Sequence, residues 1–266
     1  MAAVLDAYNW IADRFHVVRT RGEWVDTKCP FGHDNALVSW SVGGTGALCF
    51  KCWHGCGKLE ILRAVGLSWK DAFPAGQDWG KVRRELTATY HYRDGRGECL
   101  YYKERWEPGY GGKDKTFVLR KSPGGEKGID GCPRVLYRLP QLLAEPESPV
   151  FVVEGEKDCD SLARIGLLAT CSISSSEGWG DHYAAPLTGR ELVIVADDDA
   201  TGWKHAAEVA GAMIRHRAAS IRLLSLPEND VTAFLNGLRM QGVNSANELQ
   251  ERLWAIVLET PEWRPT

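Results

Sequence analysis

From Val150 onward, short apolar runs alternate with helix-length amphipathic segments, and this alternation restricts the fold more than anything else in the sequence. "VFVVEG" precedes "KDCDSLARIG", "LLATCSI" precedes the loop "SSSEGWG", and "ELVIVADDD" precedes "WKHAAEVAGAMIRHR", which leads into "SIRLLSL". Strands separated by helices of about 10 to 15 residues are joined by crossovers, so the pattern predicts a parallel sheet in an α/β unit. One more helix, roughly "SANELQERLWAIVLE", is predicted in the tail.

Two of these strands end on acids. Glu154 closes the first, and Asp197, Asp198 and Asp199 close the third. Burying three adjacent carboxylates is costly, so either the strand stops in water or a cation sits at its end. Parallel α/β sheets bind ligands at the carboxyl ends of their strands. In extended backbone, residues i and i+2 share a side, which predicts that Asp197 and Asp199 share a target while Asp198 points away. If the first and third strands are neighbours, Glu154 faces that pair. Such a group of hard oxygens suits Mg²⁺. Asp230, in "PENDVTAF", and Asp158, one helical turn past Glu154, are further candidate ligands, and Gly155 and Gly202 leave room for a phosphate chain. The plainer alternative is an acidic, solvated loop rim.

The N-terminal part reads differently. Residues 1–20 are predicted to form an amphipathic helix with Val4, Leu5, Tyr8, Ile11, Ala12 and Phe15 on one face. Residues 22–52 read as short strands joined by turns, with "GGTG" at 43–46 turning a hairpin. "KLEILRAVGL" is a helix stopping near Gly66, and the Pro/Gly-rich "FPAGQDWG" marks a boundary. Four of the eight cysteines fall here. "CPFGH" and "CFKC" together give C-x3-H-x15-C-x2-C, a spacing that places soft and borderline ligands around one tetrahedral Zn²⁺. The predicted set is Cys29, His33, Cys49 and Cys52, with Cys56 and then His54 as alternatives. The scattered Cys99, Cys132, Cys159 and Cys171 read as small buried hydrophobes.

Between these parts lies a basic segment. Residues 81–140 carry 14 Lys and Arg against 8 Asp and Glu, whereas residues 141–200 carry 3 against 12. The sharper reading of this polarity is a phosphate-binding surface beside a cation site; the blander one is two differently solvated faces. "TATYHYRDGRGECLYYKERW" reads as two strands around a turn at Asp94-Gly95. Arg93, Lys103, Arg105, Lys113, Lys115, Arg120, Lys121, Arg134 and Arg138 are candidate phosphate contacts. Tyr90, Tyr92, Tyr101, Tyr102 and Trp106 interleave with them, a mixture that suits a nucleic-acid single strand. A sheet core is the alternative for about half of these rings. No apolar run approaches the ~20 residues of a membrane span, and "MAAVLDAYNWIADRF" lacks a secretory signature, so a cytoplasmic protein is expected.

Taken together, these motifs resemble a known family. "EGEKDCDSL" followed by "VIVADDDATG" resembles the TOPRIM module, "CPFGH…CFKC" the zinc-binding domain of bacterial and phage DNA primases, and "RVLYRL" the basic-aromatic segment of their polymerase core. The resemblance implies residues 1–75 as a zinc ribbon, 76–148 as the basic α+β part of the core, 149–230 as a TOPRIM βαβαβ module and 231–266 as a helical tail. It also implies RNA primer synthesis from NTPs on a single-stranded DNA template. Glu154, Asp197 and Asp199 would be the catalytic acids holding two Mg²⁺ or Mn²⁺, with Asp230 matching a later acid of the module and one structural Zn²⁺ in the ribbon; Asp158 joins the metal ligands on its position alone. The first knuckle, C-x3-H, departs from the commoner C-x2-H. The linking segment is short, and about 36 residues follow Asp230. These features resemble compact primases of phages, plasmids and other mobile elements, with a replicative helicase on a separate chain. A TOPRIM nuclease and a non-catalytic single-strand-binding accessory protein are the competing readings.

Overall fold

The structure is a computed structural model, and it describes residues 9–33, 37–42, 47–73, 82–110, 113–174 and 178–264. The expected turn at 43–46, most of the boundary at 73–80 and the first eight residues of the expected N-terminal helix lie outside the described residues. The chain divides into two compact units: residues 1–89 with 104–118, and residues 90–103 with 119–266.

The first unit is built on a four-stranded antiparallel sheet in sequence order: β1 (Val17–Arg21), β2 (Trp24–Lys28), β3 (Leu37–Val42) and β4 (Leu48–Cys52). Residues 17–20, expected as helix, are therefore strand; the helical residues end at Ala12. Their β-branched Val17-Val18 and Thr20 fit a strand better than a helix. Trp40 is fully buried, with its ring 4.5 Å from Phe15 and 4.3 Å from Phe50 between centroids. Its indole N–H is satisfied by the Thr27 hydroxyl at 2.9 Å. Asp26 is also buried, yet accepts from Ser39 at 2.6 Å and Arg19 at 2.7 Å. Burial alone would raise its pKa, but the Ser39, Arg19 and Arg21 hydrogen bonds outweigh it and hold the carboxyl near about 2. Helix α1 (Lys58–Arg63) buries Leu59, Ile61 and Leu62 against this core and ends three residues before Gly66, at φ +75°.

Strands β5 (Glu85–Arg93), β6 (Cys99–Glu107) and β7 (Thr116–Arg120) form a three-stranded sheet. The expected turn is present: the Asp94 carboxylate accepts from the backbone of Arg96 and Glu98. Tyr90, Tyr92 and Tyr101 are core residues, while Tyr102 and Trp106 are partly exposed.

The second unit contains the parallel sheet, with β8 (Val150–Val152), β9 (Ala169–Thr170), β10 (Glu191–Ala196) and β11 (Ser220–Ser225) in the order β11-β10-β8-β9. Leu192 to Ala196 are all buried, the unbroken apolar run of a strand covered on both faces. Before the sheet comes α2 (Leu139–Ala144), whose terminal carbonyls need partners. Arg190 supplies them, donating to Leu142 O at 2.9 Å, Glu145 O at 2.5 Å and Ser148 O at 2.8 Å. The crossovers are α3 (Glu156–Arg164), the short α4 (Asp181–Ala184) with a 3₁₀ turn after it, and α5 (Ala200–Arg215). Two helices follow β11, namely α6 (Val231–Met240) and α7 (Ala246–Glu259). Only α7 was expected from sequence. Its Trp254 packs edge-on against Phe151 of β8, 5.4 Å between centroids. The protein is thus mixed α/β: antiparallel sheet and cysteine cluster first, parallel sheet with helices next, and a helical C-terminus. No described helix is long and apolar enough to cross a membrane.

Candidate metal centres

The cysteine cluster is formed by two turns of the same construction. Cys29-Pro-Phe-Gly-His33 and Cys52-Trp-His-Gly-Cys56 each place a ligand, two residues, a glycine and a second ligand. Gly32 and Gly55 sit at φ +65° and +90°, where an L side chain is strained, and each donates its N–H back to the carbonyl of the cysteine three residues earlier. Cys29 Sγ lies 3.7 Å from Cys56 Sγ and 3.8 Å from Cys52 Sγ, and His33 Nε2 lies 3.2 Å from Cys56 Sγ. A tetrahedral ion about 2.3 Å from each sulfur spaces the sulfurs about 3.8 Å apart. Cys29, Cys52 and Cys56 therefore fit Zn²⁺ in both donor chemistry and spacing, His33 and His54 group with Cys56 on one side of them, and an ion held by the three thiols and His33 would tie the two turns together. His54 stacks on His33, 3.7 Å between ring centroids and 11° between planes.

This corrects one expected ligand. Cys49 is exposed on β4, three residues from Cys52, so strand alternation sends the two side chains to opposite faces. The C-x2-C pair belongs to a strand; the turn with ligand geometry starts at its second cysteine. The matching glycines at 32 and 55 were the sequence signal for Cys56. Among the thiols, a hydrogen bond with Cys56 pulls Cys29 down to about 6 against the opposing effect of burial, and the same bond pushes Cys56 up.

The acidic centre is assembled from the ends of β8 and β10, which are hydrogen-bonded parallel neighbours with Val152 opposite Ile194. Glu154 and Asp197 therefore leave the sheet at the same edge, two and one residues past their strands. Glu154 is half-buried and has no hydrogen-bond or ion-pair partner among the described residues. The expectation for Asp199 changes. Its N–H bonds back to Asp197 O at 2.7 Å, so the chain turns through Asp198, and the i, i+2 rule for extended backbone does not carry past Ala196. Asp199 Oδ1 instead caps α5 by accepting from Gly202 N at 2.7 Å. Asp198 is exposed. Among the described residues, metal-ligand atoms gather within 4.8 Å of one another only in the Cys/His cluster, so Glu154, Asp197 and Asp199 share an edge without closing on one point. Their all-oxygen donor set and the unpartnered Glu154 fit a hard divalent cation.

The other acids have structural partners. Asp230 caps α6, accepting from Ala233 N at 2.6 Å. Asp158 is buried and accepts from both Thr232 N and Thr232 Oγ1, at 2.9 and 2.6 Å, which ties α3 to α6. Burial and the Asp230 charge push its pKa up to about 6 despite those bonds. Gly202, expected to admit a phosphate, serves packing. A Cβ there would lie 2.7 Å from Asp197 O, so glycine lets the start of α5 rest on the backbone of Asp197.

The basic residues separate into two groups. Lys103 and Arg105, expected as phosphate contacts, are buried and paired. Lys103 Nζ lies 2.7 Å from Glu156 Oε1 and donates to Ile173 O at 2.7 Å, while Arg105 pairs with Glu107 at 2.6 Å. Residues 101, 103, 105 and 107 share one face of β6 and are all buried, as is Glu104 on the other face. Tyr92 also donates to Glu156 Oε1, at 2.5 Å. Lys103→Met would strand the Glu156 charge in the core and is expected to cost about 3–5 kcal/mol in urea unfolding; adding Glu156→Gln should recover much of that loss. Lys113, Lys115 and Lys121 are exposed, and Arg120, Arg134 and Arg138 are half-buried. Arg120 donates to Gly125 O, Arg134 to Cys132 O and Arg138 to Asp160.

No family model and no curated relative matches this chain. Among solved structures, the DnaG catalytic core is similar at 19% identity with a TM-score of 0.44, covering 61% of this chain and 54% of that one. A DNA primase domain from Pseudomonas aeruginosa gives 19% and 0.44 over 56% and 46%, and the E. coli primase catalytic core 17% and 0.42 over 62% and 54%. This chain thus spans about half the length of the solved chains it resembles.

Proposed function

We propose that this protein is a primase, a nucleotidyltransferase that joins NTPs into short RNA primers on single-stranded DNA for the replication of a phage, plasmid or other mobile element. The observation that carries this reading is the pair of acids at one sheet edge, Glu154 after β8 and Asp197 after the neighbouring β10. Phosphoryl transfer requires positioning and charge neutralisation more than covalent chemistry from the protein. Glu154, Asp197 and Asp199 would hold two Mg²⁺ or Mn²⁺, with Asp230 at the same edge. Bound there, the metals supply a polarised 3′-hydroxyl and a neutralised pyrophosphate leaving group. Asp199 and Gly202 set the position of Asp197 through the start of α5, and Asp158 sets that of Asp230 through Thr232. Lys113, Lys115 and Lys121, with Arg120, Arg134 and Arg138, remain the candidates for template phosphates.

The test is a priming assay with purified protein, single-stranded DNA, and ribo- or deoxynucleotides with Mg²⁺ or Mn²⁺. Labelled oligonucleotides should appear only with template and nucleotides together. Degradation of labelled DNA without nucleotides would replace this reading with a nuclease. Binding of single-stranded DNA without synthesis under any metal would replace it with an accessory protein.

A further inference from the structure

Beside the acidic edge lies a pair of buried polar groups that nothing above uses. His205, on α5, is 7% exposed, and among the described residues neither ring nitrogen has a hydrogen-bond partner. Trp179, whose ring lies 6.2 Å from the His205 ring between centroids, is 8% exposed, and its indole N–H is equally unpartnered. His205 stands three residues after Gly202, on the face of α5 that rests against Asp197. Burial holds its imidazole below the ordinary histidine pKa, and Glu154, then Glu208, are the charges pulling the other way. Glu154, at the end of the strand paired with β10, also has no hydrogen-bond or ion-pair partner among the described residues.

A neutral imidazole carries one donor and one acceptor, an indole one donor, and a carboxylate acceptors only. Complementary donors and acceptors are thus left without partners at this end of the sheet. Left dry, each buried polar group costs about 1–3 kcal/mol. A buried water that makes about three hydrogen bonds to otherwise unsatisfied groups removes that cost. We propose that His205 and Trp179 enclose a water that hydrogen-bonds to Glu154 and fixes the direction of its carboxylate. The Trp179 N–H donates to this water, and the water donates to His205 and to Glu154. His205 and Trp179 are therefore positioning residues for the acidic centre. The inference rests on the reading of Glu154 as a metal-holding acid.

Mn²⁺ binding to the purified full chain, followed by the EPR signal of free Mn²⁺, tests this without turnover. Glu154→Gln should abolish a binding step. His205→Leu should weaken the same step about tenfold, as removal of an outer hydrogen-bonding partner does at metal sites, while far-UV circular dichroism stays that of the parent. His205→Gln, which keeps a donor and an acceptor, should return to within about threefold. Trp179→Phe removes the N–H but keeps an aromatic ring, and should weaken binding about three- to tenfold. Parent-like Mn²⁺ affinity in folded His205→Leu and Trp179→Phe, with Glu154→Gln impaired, overturns the proposal and leaves the acidic centre standing. So does failure of His205→Gln to rescue. Unchanged binding in Glu154→Gln overturns the reading of the acidic centre itself, and the proposal with it.

Discussion

Cys56→Ser should abolish zinc retention and unfold the antiparallel sheet of the first unit, while Cys49→Ser should keep both. The parent should carry one zinc per chain by elemental analysis. Structural zinc contributes an apparent ~10–16 kcal/mol in small modules, more than a four-stranded sheet around Trp40 and Phe50 can replace by packing. Cys29 and Cys52 variants should behave like Cys56→Ser, because the three sulfurs lie at ligand spacing. Near-ultraviolet circular dichroism of the buried Trp40 reports the loss. The second unit should keep its own transition, since its parallel sheet contributes none of these ligands. Zinc lost from Cys49→Ser and kept by Cys56→Ser would reverse the assignment.

Asp197→Asn and Glu154→Gln should each lower primer synthesis by at least about 10²-fold, the scale for removing one preorganised electrostatic partner of the reaction. Asp198→Asn should stay within about threefold, because that carboxylate faces water. Asp199 has two tasks, and two substitutions separate them. Asp199→Ala removes both the charge and the cap of α5, so activity should fall with about 1 kcal/mol of stability. Asn caps a helix about as well as Asp, so Asp199→Asn should lose activity with little change in Tm. Thermal melts alongside the priming assay check both, and equal losses at 197, 198 and 199 would sink the assigned edge.

Periodicity was enough to read the parallel sheet and the acids that end two of its strands, while the pairing of those two strands is visible only in the fold. A buried strand such as Leu192 to Ala196 has few alternative uses, and crossover helices leave little choice of direction. Helix α6 is not legible in the sequence because it follows a five-residue loop, Leu226 to Asp230, that reads as a tail rather than a connection. Register was harder. Lys103 and Arg105 look like surface cations in a basic run, but their fate depends on which face of β6 is inside, and Glu156, the acid that pairs with Lys103, is over 50 residues away. Cys49 was misread for the same reason: C-x2-C describes a turn only if its residues are not already strand. His205 and Trp179 carry no spacing signature, and only the folded chain brings the two rings together with their nitrogens unpartnered among the described residues.

The twin turns around the cysteine cluster also bear on the order in which the first unit assembles. Cys29 with His33, and Cys52 with Cys56, are each closed within a single five-residue segment by a local backbone hydrogen bond. Either pair can therefore grip a metal ion while the rest of the chain is still a coil, at almost no cost in loop closure. Joining the pairs then closes one moderate loop, and closure cost grows only with the logarithm of length. That loop contains β3 and most of β4. Capture of the ion thus brings the strands of the sheet into pairing range, and refolding of this unit should quicken with free zinc rather than merely end at a more stable state.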